Sequence, residues 1–412
     1  MTDHAQRPPA DLLSGIRVLD LTNILSGPYA TYQMALLGAE VIKVENPKDG
    51  DLARKLGASP ALNAQLMGTS FLAQNAGKLS VTVDLKHPEG KALFRDLVAS
   101  ADVLVENFRP RVMDRLGFGQ EALRSVNPGL VYCAISGFGQ NGPLAGNPAY
   151  DQIVQGLSGV MSITGDAQTA PLRVGYPLCD TLGGMAAAFA VVSALVKRGR
   201  TGEGAFIDLS MLDATLSAMG WAVSNYLIAG VEARPIGNQN MTAAPSGAFR
   251  CADGPINIAA NKQEQFEKLC ELVGRPELAT DPRFAERETR KANRAAINAE
   301  LEQALAAKSA QEWENLLNAH GIPAGRILTV PEILAHPQIA ARDLVQDIAM
   351  PEGDFGADFG GVRVVRAGFD LADSQPTARC PPPWLGQHNA RIYGELGRDQ
   401  AALERLKADG AI

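Results

Sequence analysis

Hydrophobic and polar positions alternate between two repeating patterns over the first half of the chain. Short apolar runs, typical of strands buried in a sheet, alternate with stretches of helical periodicity. The runs predict strands at 17–21, 40–45, 80–84, 103–106 and 130–136. The helical stretches predict helices at 26–37, 90–99 and 120–126. Strands separated by helices in this way are typical of βαβ units, so we expect an α/β fold with a mainly parallel sheet.

The pattern changes after about residue 200. It predicts a strand at 205–210, a helix at 211–229, a hairpin turn at 252–254 and a strand at 256–260. Charged amphipathic helices follow at 263–273, 287–305 and 310–320. From about residue 344 short strands return, and a proline run at 381–383 precedes a terminal helix at 389–406. We therefore expect a second, smaller α+β domain after the parallel sheet.

Composition narrows the class of protein. The chain has 412 residues, of which 46% are hydrophobic and 20% charged, as in a soluble globular protein. A net charge of −7 argues against nucleic acid or an anionic membrane as the main partner. Five scattered cysteines without a CxxC pair indicate reduced thiols. No signal-like apolar segment opens the chain, and the apolar run at 185–195 is too short to span a bilayer, so we expect a cytoplasmic protein.

Several common catalytic motifs are missing from the sequence. The first strand-turn-helix reads Ser26-Gly27-Pro28 instead of GxGxxG, and there is no GxxxxGK[ST], so a nucleotide cofactor is poorly supported. There is no GxSxG motif for a serine hydrolase and no HExxH motif or paired His/Cys cluster for a metal. We expect neither a metal nor a tightly bound cofactor.

One carboxylate has a context that suggests chemistry. Asp180 lies between an apolar run and the pair Gly183-Gly184, directly before the apolar helix predicted at 185–195. An aspartate at a helix start is most often an N-cap. The helix is apolar enough to be buried, however, and the glycines leave room for another molecule to approach, which favours a nucleophile. From these residues alone, both interpretations stay open.

An ordered series of segments spans nearly the whole chain, at 13–22, 26–28, 38–45, 105–110, 135–140, 164–165, around Asp180, at 202–204, 210–211 and 385–388. Taken together, these segments resemble the family III CoA-transferases, to which formyl-CoA transferase and carnitine CoA-transferase belong. The α-methylacyl-CoA racemases are structural relatives of that family.

The resemblance implies an architecture. It implies a Rossmann-like large domain whose N-terminal part is residues 1–225, a small α+β domain at 226–340 and a C-terminal segment, 341–412, that returns to the large domain. Members of the family form an interlocked homodimer, with each chain threaded through the other. We expect the same assembly here.

The resemblance also implies a catalytic cycle and a CoA site. Asp180 matches the family's nucleophile, which carries CoA between two acids through aspartyl anhydride and aspartyl-CoA thioester intermediates, with CoA as co-substrate. The positions that match the CoA site are Leu25, Ser26, Lys86, Asn107, Phe108, Arg115 and the loop from Gly137. Formyl-CoA transferase has an arginine and a lysine where this chain has Asn46 and Pro148, so Arg109 and Arg111 are candidates for the missing charge.

For the substrate, the chain is most similar to the branch that acts on small carboxylic and dicarboxylic acids, often with succinyl-CoA as donor. Candidate substrate contacts are Tyr150, Arg173, Arg234, Asn240 and Asn261. The glycine-rich lid of formyl-CoA transferase has no counterpart at 259–263.

Three alternatives can be compared with the transferase. A racemase needs a second acid/base group, but the His-Asp pair of those relatives reads Tyr150-Asp151 here, and a tyrosine, with a reference pKa of about 10, is a poor base. A non-catalytic acyl-CoA-binding protein would keep CoA binding without Asp180, although the nucleophile segment is intact. A thiol nucleophile at Cys179 is disfavoured, because apolar neighbours raise a thiol's pKa.

Overall fold

The computed structural model describes residues 7–350 and 361–412, which form two compact units. The larger unit contains the chain up to Gly159, Val174–Val231 and Ala340–Ile412. The smaller unit contains Val160–Arg173 and Glu232–Ile339. The domain bounds implied by the resemblance assign 160–173 to the large domain, whereas this segment packs with the smaller unit: the Gly237 N–H donates to the Gly165 carbonyl at 2.7 Å.

A six-stranded parallel sheet forms the centre of the larger unit. Its strands are β1 (Arg17–Asp20), β2 (Glu40–Glu45), β3 (Lys78–Thr82), β4 (Val103–Glu106), β5 (Val131–Ser136) and β6 (Ala205–Ser210). They lie in the order β3-β2-β1-β4-β5-β6, and every neighbouring pair is parallel. The expected α/β fold with a parallel sheet is confirmed. The strand order reverses between β1 and β4, and the carboxyl ends at such a switch point form a crevice suited to ligands.

Helices cover both faces of this sheet. The helices of the larger unit up to residue 231 are α1 (Ser26–Leu36), α2 (Pro60–Ala64), α3 (Thr69–Asn75), α4 (Pro88–Ala99), α5 (Val112–Leu116), α6 (Gln120–Val126), α7 (Asp151–Leu157), α8 (Leu178–Thr201), α9 (Met211–Ala218) and α10 (Trp221–Ala229). Side chains alternate between faces along a strand. Val18 of β1 therefore packs with α1 and α8, whereas Leu19 packs with α4 and α6.

Helix α8 is longer than its apolar sequence run. It has 24 residues, so the expectation that this segment is too short to span a bilayer is wrong: among the described residues, α8 alone is long and apolar enough to do so by length and composition. One side of α8 packs on the sheet through Ala187 and Val191. The opposite side exposes Met185 and Phe189.

The helix predicted at 211–229 is two helices, α9 and α10. Gly220 separates them with a positive φ of 49°, a backbone conformation that glycine adopts without a steric penalty. The apolar pattern continues through the break, so it carries no sign of the change in direction.

The smaller unit contains a three-stranded antiparallel sheet, β7 (Ser246–Arg250), β8 (Pro255–Ala259) and β9 (Ala324–Arg326), and the expected hairpin joins β7 to β8. Its helices are α11 (Gln263–Leu272), α12 (Arg287–Ala292), α13 (Arg294–Leu305), α14 (Ala310–Ala319), α15 (Val330–Leu334) and α16 (Pro337–Ala341). The helix predicted at 287–305 is interrupted at Asn293. The hydrophobic core of this unit includes Phe266 and Trp313.

The C-terminal segment packs on the larger unit. Its elements are β10 (Val345–Ile348), β11 (Val362–Val365), α17 (Asn389–Glu395) and α18 (Gln400–Ala408), and β10 pairs antiparallel with β11. The predicted terminal helix is thus interrupted between α17 and α18. Asn389 bonds Thr82 of β3 twice, at 2.8 Å each, and the Tyr393 hydroxyl donates to the Thr82 carbonyl at 2.7 Å. These bonds tie α17 to the edge of the parallel sheet.

Candidate active site

A cavity of about 340 Å³ lies at the switch point, beyond the carboxyl ends of β1, β4 and β5. Most of the residues expected at the site line it: Leu25, Ser26, Asn107, Phe108, Arg109, Gly137, Tyr150 and Asp180. They come from the loops that follow three different strands and from the start of α8. The structure therefore brings the proposed nucleophile and most of the matched CoA positions together.

Asp180 is the third residue of α8, and it is not the N-cap. Pro177 occupies the N-cap position, so the interpretation of Asp180 as a simple cap is wrong. Negative charge near a helix N-terminus is normally stabilised by the exposed N–H groups and the macrodipole. Here burial, followed by the negative charge of Asp151, outweighs that effect and raises the pKa of Asp180 to about 7.

Asp151, the first residue of α7, takes the capping role instead. Its Oδ1 accepts the Cys179 N–H at 2.8 Å and the Asp180 N–H at 3.4 Å. Gln155, one turn later, donates to Asp151 Oδ2 at 2.7 Å and to the Tyr176 carbonyl at 3.2 Å. Helix α7 therefore fixes both the start of α8 and the segment before it. In the sequence, Asp151 stands out only as the neighbour of Tyr150.

The glycine pair after Asp180 accommodates this chain's own helix α1. A Cβ added to Gly184 would lie 2.5 Å from the Ser26 carbonyl oxygen, and one added to Gly183 would lie 2.9 Å from Cγ of Met211. The expectation that these glycines leave room for a ligand is therefore wrong. They allow α1 to pass close to α8, and this contact places Ser26 beside the turn that follows Asp180.

The loop between β1 and α1 is held in a strained conformation. Ile24 has a φ of +70°, which is rare for a β-branched residue. Two hydrogen bonds join Asn107 to Asn23, the residue before Ile24. Asn107 Oδ1 accepts the Asn23 N–H and Asn107 Nδ2 donates to the Asn23 carbonyl, both at 2.8 Å. Asp51 accepts the Ile24 N–H at 3.0 Å. Strain that surrounding contacts enforce in this way is concentrated at functional sites.

A buried charge network underlies this loop. Lys43 Nζ lies 2.9 Å from Asp51 Oδ2 and donates to the Thr22 carbonyl at 2.8 Å. Lys78 Nζ lies 2.8 Å from Asp20 Oδ2. Burial lowers the pKa of Lys78 to about 8, whereas Lys43 and Lys78 hold the pKa of Asp20 well below its usual range. The sequence showed these residues only as parts of strands.

Of the remaining matched CoA positions, Lys86 lines a second cavity of about 270 Å³ next to the first. Asn46 also lines it, and Phe108 lines both cavities. Pro148 and Arg109 line the first cavity, and the Arg109 side chain is exposed there. Arg111 and Arg115 are exposed at and near the start of α5 and line neither cavity.

The other substrate candidates belong to the smaller unit. Arg173, Arg234 and Asn261 are exposed there, and Asn240 lines an open cavity of that unit. The Asn240 Oδ1 accepts the N–H and the hydroxyl of Thr242, both at 2.7 Å. Contact between these residues and a substrate stays a prediction.

Two alternative chemistries lack support in the structure. Within the described residues, no group of three His, Cys, Asp or Glu side chains is arranged to hold a metal ion. Cys179 is buried, and this burial raises the pKa of its thiol, which is unfavourable for a nucleophile.

Known proteins with similar sequences and structures agree on one family. The profile described as CoA-transferase family III matches residues 13–389. Acetyl-CoA:oxalate CoA-transferase of Acetobacter aceti is 40% identical, over 97% of this chain and 100% of that protein. Succinate–glutarate CoA-transferase of Agrobacterium fabrum is 37% identical, over 96% of this chain and 98% of that protein.

A solved structure with the same fold extends this result. A CaiB/BaiF family protein from Brucella suis superposes with a TM-score of 0.81 at 36% identity, over 95% of this chain and 100% of that chain. Both the sequence and the fold are therefore shared along nearly the full length of these relatives. The chain belongs to CoA-transferase family III, and it is an enzyme that uses CoA thioesters as co-substrates.

Proposed function

We propose that the enzyme transfers CoA through covalent intermediates on Asp180. The Asp180 carboxylate attacks the carbonyl carbon of the donor thioester, the C–S bond breaks, and an acyl-aspartyl anhydride and CoA thiolate form. The thiolate then attacks the Asp180 carbonyl carbon, which gives an aspartyl-CoA thioester and releases the donor acid. The acceptor carboxylate repeats these two steps in reverse order and leaves as its CoA thioester.

The observation that carries this proposal is the setting of Asp180. It lines a cavity at the switch point of the sheet, and burial and Asp151 raise its pKa to about 7. A carboxylate with a raised pKa is a better nucleophile than an ordinary one once it is deprotonated. The thioesters of the donor and acceptor acids have similar free energies, so transfer of CoA between the two acids needs no further driving force. One carboxylate can therefore serve both half-reactions.

For the substrates, we propose a small dicarboxylic acid as acceptor and an acyl-CoA such as succinyl-CoA as donor. The names of the two relatives above support this class, since one includes oxalate and the other succinate and glutarate. The candidates for contact with the distal carboxylate of the substrate remain Arg173, Arg234, Asn240 and Asn261. Tyr150 lies in the wall of the cavity, is 68% exposed, and is the candidate for contact with the reacting carboxylate.

We propose that CoA extends across the two cavities of the larger unit. Phe108 lines both, Leu25 and Gly137 line the first, and Lys86 lines the second. Arginine binds phosphate well, so Arg109 at the first cavity and Arg115 nearby on α5 are the candidates for the CoA phosphates. Asn46 and Pro148 carry no charge that could do so.

We further propose that the active enzyme is an interlocked homodimer in the cytoplasm. Exposed apolar side chains on α8 and α10 support a partner surface, and free thiols at all five cysteines suit a reducing compartment.

A donor and acceptor panel tests the proposed reaction. Purified enzyme is incubated with acetyl-CoA, formyl-CoA or succinyl-CoA and with oxalate, succinate, glutarate or a monocarboxylic acid, and new thioesters are identified by mass spectrometry. We expect the highest turnover with a dicarboxylic acceptor. Turnover confined to monocarboxylic acids would contradict the substrate class and leave the transferase assignment intact.

Substitution of the nucleophile tests the mechanism. Asp180→Asn should abolish transfer while CoA binding persists, whereas Asp11→Asn, at an exposed residue, should keep normal turnover. Hydroxylamine added to the wild-type enzyme with acyl-CoA should modify the peptide that contains Asp180. In heavy water, transfer should proceed with no deuterium at the α-carbon, and α-deuteration at the rate of turnover would instead indicate a racemase.

A further inference from the structure

Among the described residues, the hydroxyl group of Ser26 has no hydrogen-bond partner. Ser26 is only 3% exposed and forms part of the wall of the cavity that contains Asp180. Its Oγ is buried and makes no hydrogen bond within the part of the chain that the structure describes. Buried hydroxyl groups are almost always hydrogen-bonded, so a functional explanation is needed for one that is not.

The contact between α1 and α8 places this hydroxyl next to the nucleophile. A Cβ on Gly183 would lie 3.2 Å from Ser26 Oγ. Gly183 follows Asp180 by three positions, so the two share a face of α8, one turn apart. Cβ vectors in a helix tilt toward its N-terminus, and therefore a group at this position lies on the Asp180 side of Gly183. The hydroxyl is therefore buried beside the first turn of α8, which contains Asp180.

The start of α1 adds further donors at the same place. Ser26 is its first residue, no side chain caps the helix, and its first turn contains no acidic residue. Pro28, the third residue, has no N–H, so the Ser26 and Gly27 N–H groups remain as the donors of this first turn. An uncapped helix start together with a buried unpartnered hydroxyl forms a site for a negatively charged oxygen.

We propose that Ser26 is a catalytic residue whose hydroxyl stabilises the oxyanion that forms on Asp180 itself. When the CoA thiolate adds to the Asp180 carbonyl carbon of the anhydride, the C–S bond forms and the carbonyl π electrons move to the Asp180 oxygen. Ser26 Oγ–H donates a hydrogen bond to that oxygen and keeps its proton. The carbonyl re-forms as the donor carboxylate leaves. The assignment rests on the mechanism proposed above.

The geometry favours the oxygen of Asp180 over an oxygen of the substrate. Ser26 Oγ is shielded from solvent and lies beside Gly183 of α8, three positions after Asp180, so the proposal assigns it to the acyl group that this helix carries. Ser26 makes no hydrogen bond to Asp180 in the resting enzyme. A hydrogen bond that forms only as negative charge develops stabilises the transition state but not the starting complex. It therefore lowers the activation barrier of the reaction.

Rapid-quench mass spectrometry on Ser26→Ala tests the proposal. After mixing with succinyl-CoA, formation of the Asp180-CoA thioester should slow by about 10²-fold, as for loss of one oxyanion donor, and kcat should fall in parallel. KM for the acyl-CoA should change little. The midpoint of thermal unfolding should stay the same or rise, because the alanine removes an unpaired buried hydroxyl.

Matched variants make each outcome decisive. Ser193→Ala, whose hydroxyl bonds the Phe189 carbonyl on the exposed side of α8, should keep wild-type rates. Should Ser26→Ala not fold, Ser26→Gly provides the same comparison without the hydroxyl. If wild-type enzyme forms no adduct on Asp180, the proposed function itself fails. If it forms the adduct and Ser26→Ala forms it at the same rate, the Ser26 assignment is overturned.

Discussion

At the scale of single residues, the site depends on two carboxylates with different roles. Asp151 accepts the N–H groups at the start of α8, and Asp180 therefore lacks those stabilising contacts. Burial, together with the negative charge that this arrangement places near Asp180, raises the pKa of Asp180 to about 7. Burial and the neighbouring charge of Asp151 thus make Asp180 a reactive carboxylate, although its place in the first turn of a helix would by itself stabilise the negative charge.

The first prediction is a pH profile set by Asp180. Because the nucleophile must be deprotonated, kcat/KM should rise with pH and level off above a pKa of about 7, so that activity at pH 6 is about one tenth of the plateau. Asp151→Asn should move this rise to lower pH, since the asparagine Oδ1 can accept the N–H groups of Cys179 and Asp180 without the charge, whereas the bond from Gln155 to the second oxygen is lost. The check is a rate profile from pH 5 to 9. An unchanged midpoint in Asp151→Asn would contradict the electrostatic role.

The second prediction concerns stability. The folded-state pKa of Asp180, about 7, lies above its unfolded value near 3.8, so the folded protein binds this proton more tightly. Stability therefore falls as pH rises from about 4 to 7, and Asp180→Asn removes that loss. The midpoint of thermal unfolding should rise by about 1–3 °C at pH 8 and change little at pH 4. Equal shifts at both pH values would point to a packing effect instead.

The sequence predicts these residues unequally. Asp180 is recognisable from its own segment, because an apolar run, a carboxylate and two glycines adjoin along the chain. Asp151 lies 29 positions before Asp180, and its influence exists only after α7 packs beside α8. Ile24 likewise carries no local sign of its positive φ, because Asn107 and Asp51 enforce it from distant segments.

At the scale of elements, the crossing of α1 and α8 positions the chemistry. Both helices pack on one face of the sheet, and the glycine pair allows close approach at the point where Ser26 meets α8. The strands and the α/β class were predictable because their apolar runs are local and periodic. The breaks at Gly220 and Asn293 were not, since the helical periodicity continues across both.

The third prediction tests this crossing. Gly184→Ala would place a Cβ 2.5 Å from the Ser26 carbonyl oxygen, and backbone must move to relieve that contact. The free energy of unfolding should fall by about 1–3 kcal/mol, and kcat should fall as well. Gly199→Ala on the same helix is the control, because its Cβ meets nothing within 4 Å. It should be neutral or stabilising by up to about 1 kcal/mol. Chemical denaturation and turnover measurements separate the two variants.

At the scale of the whole molecule, the larger unit exposes several large apolar side chains on two of its helices. On α8, Phe189 is 77% exposed, and on α10, Ile228 is 85% exposed, with Trp221 and Leu227 also exposed. Exposed apolar groups in this number mark an interaction surface. The sequence pattern predicted these helices but could not show which faces would remain uncovered, because that depends on how the sheet and α1 cover their other sides.

The last prediction is that a second copy of this chain covers these faces. Without detergent, light scattering at micromolar concentration should give a mass of about twice 43.6 kDa, because self-association buries apolar area that monomers would expose to water. If the dimer is interlocked, differently tagged subunits should not exchange until the protein is unfolded. Ile228→Glu together with Phe189→Glu should reduce the dimer fraction, whereas Val330→Glu, at an exposed apolar residue of the smaller unit, should leave it unchanged. A stable monomer, or flotation with lipid vesicles through α8, would show that something other than a second copy covers this surface.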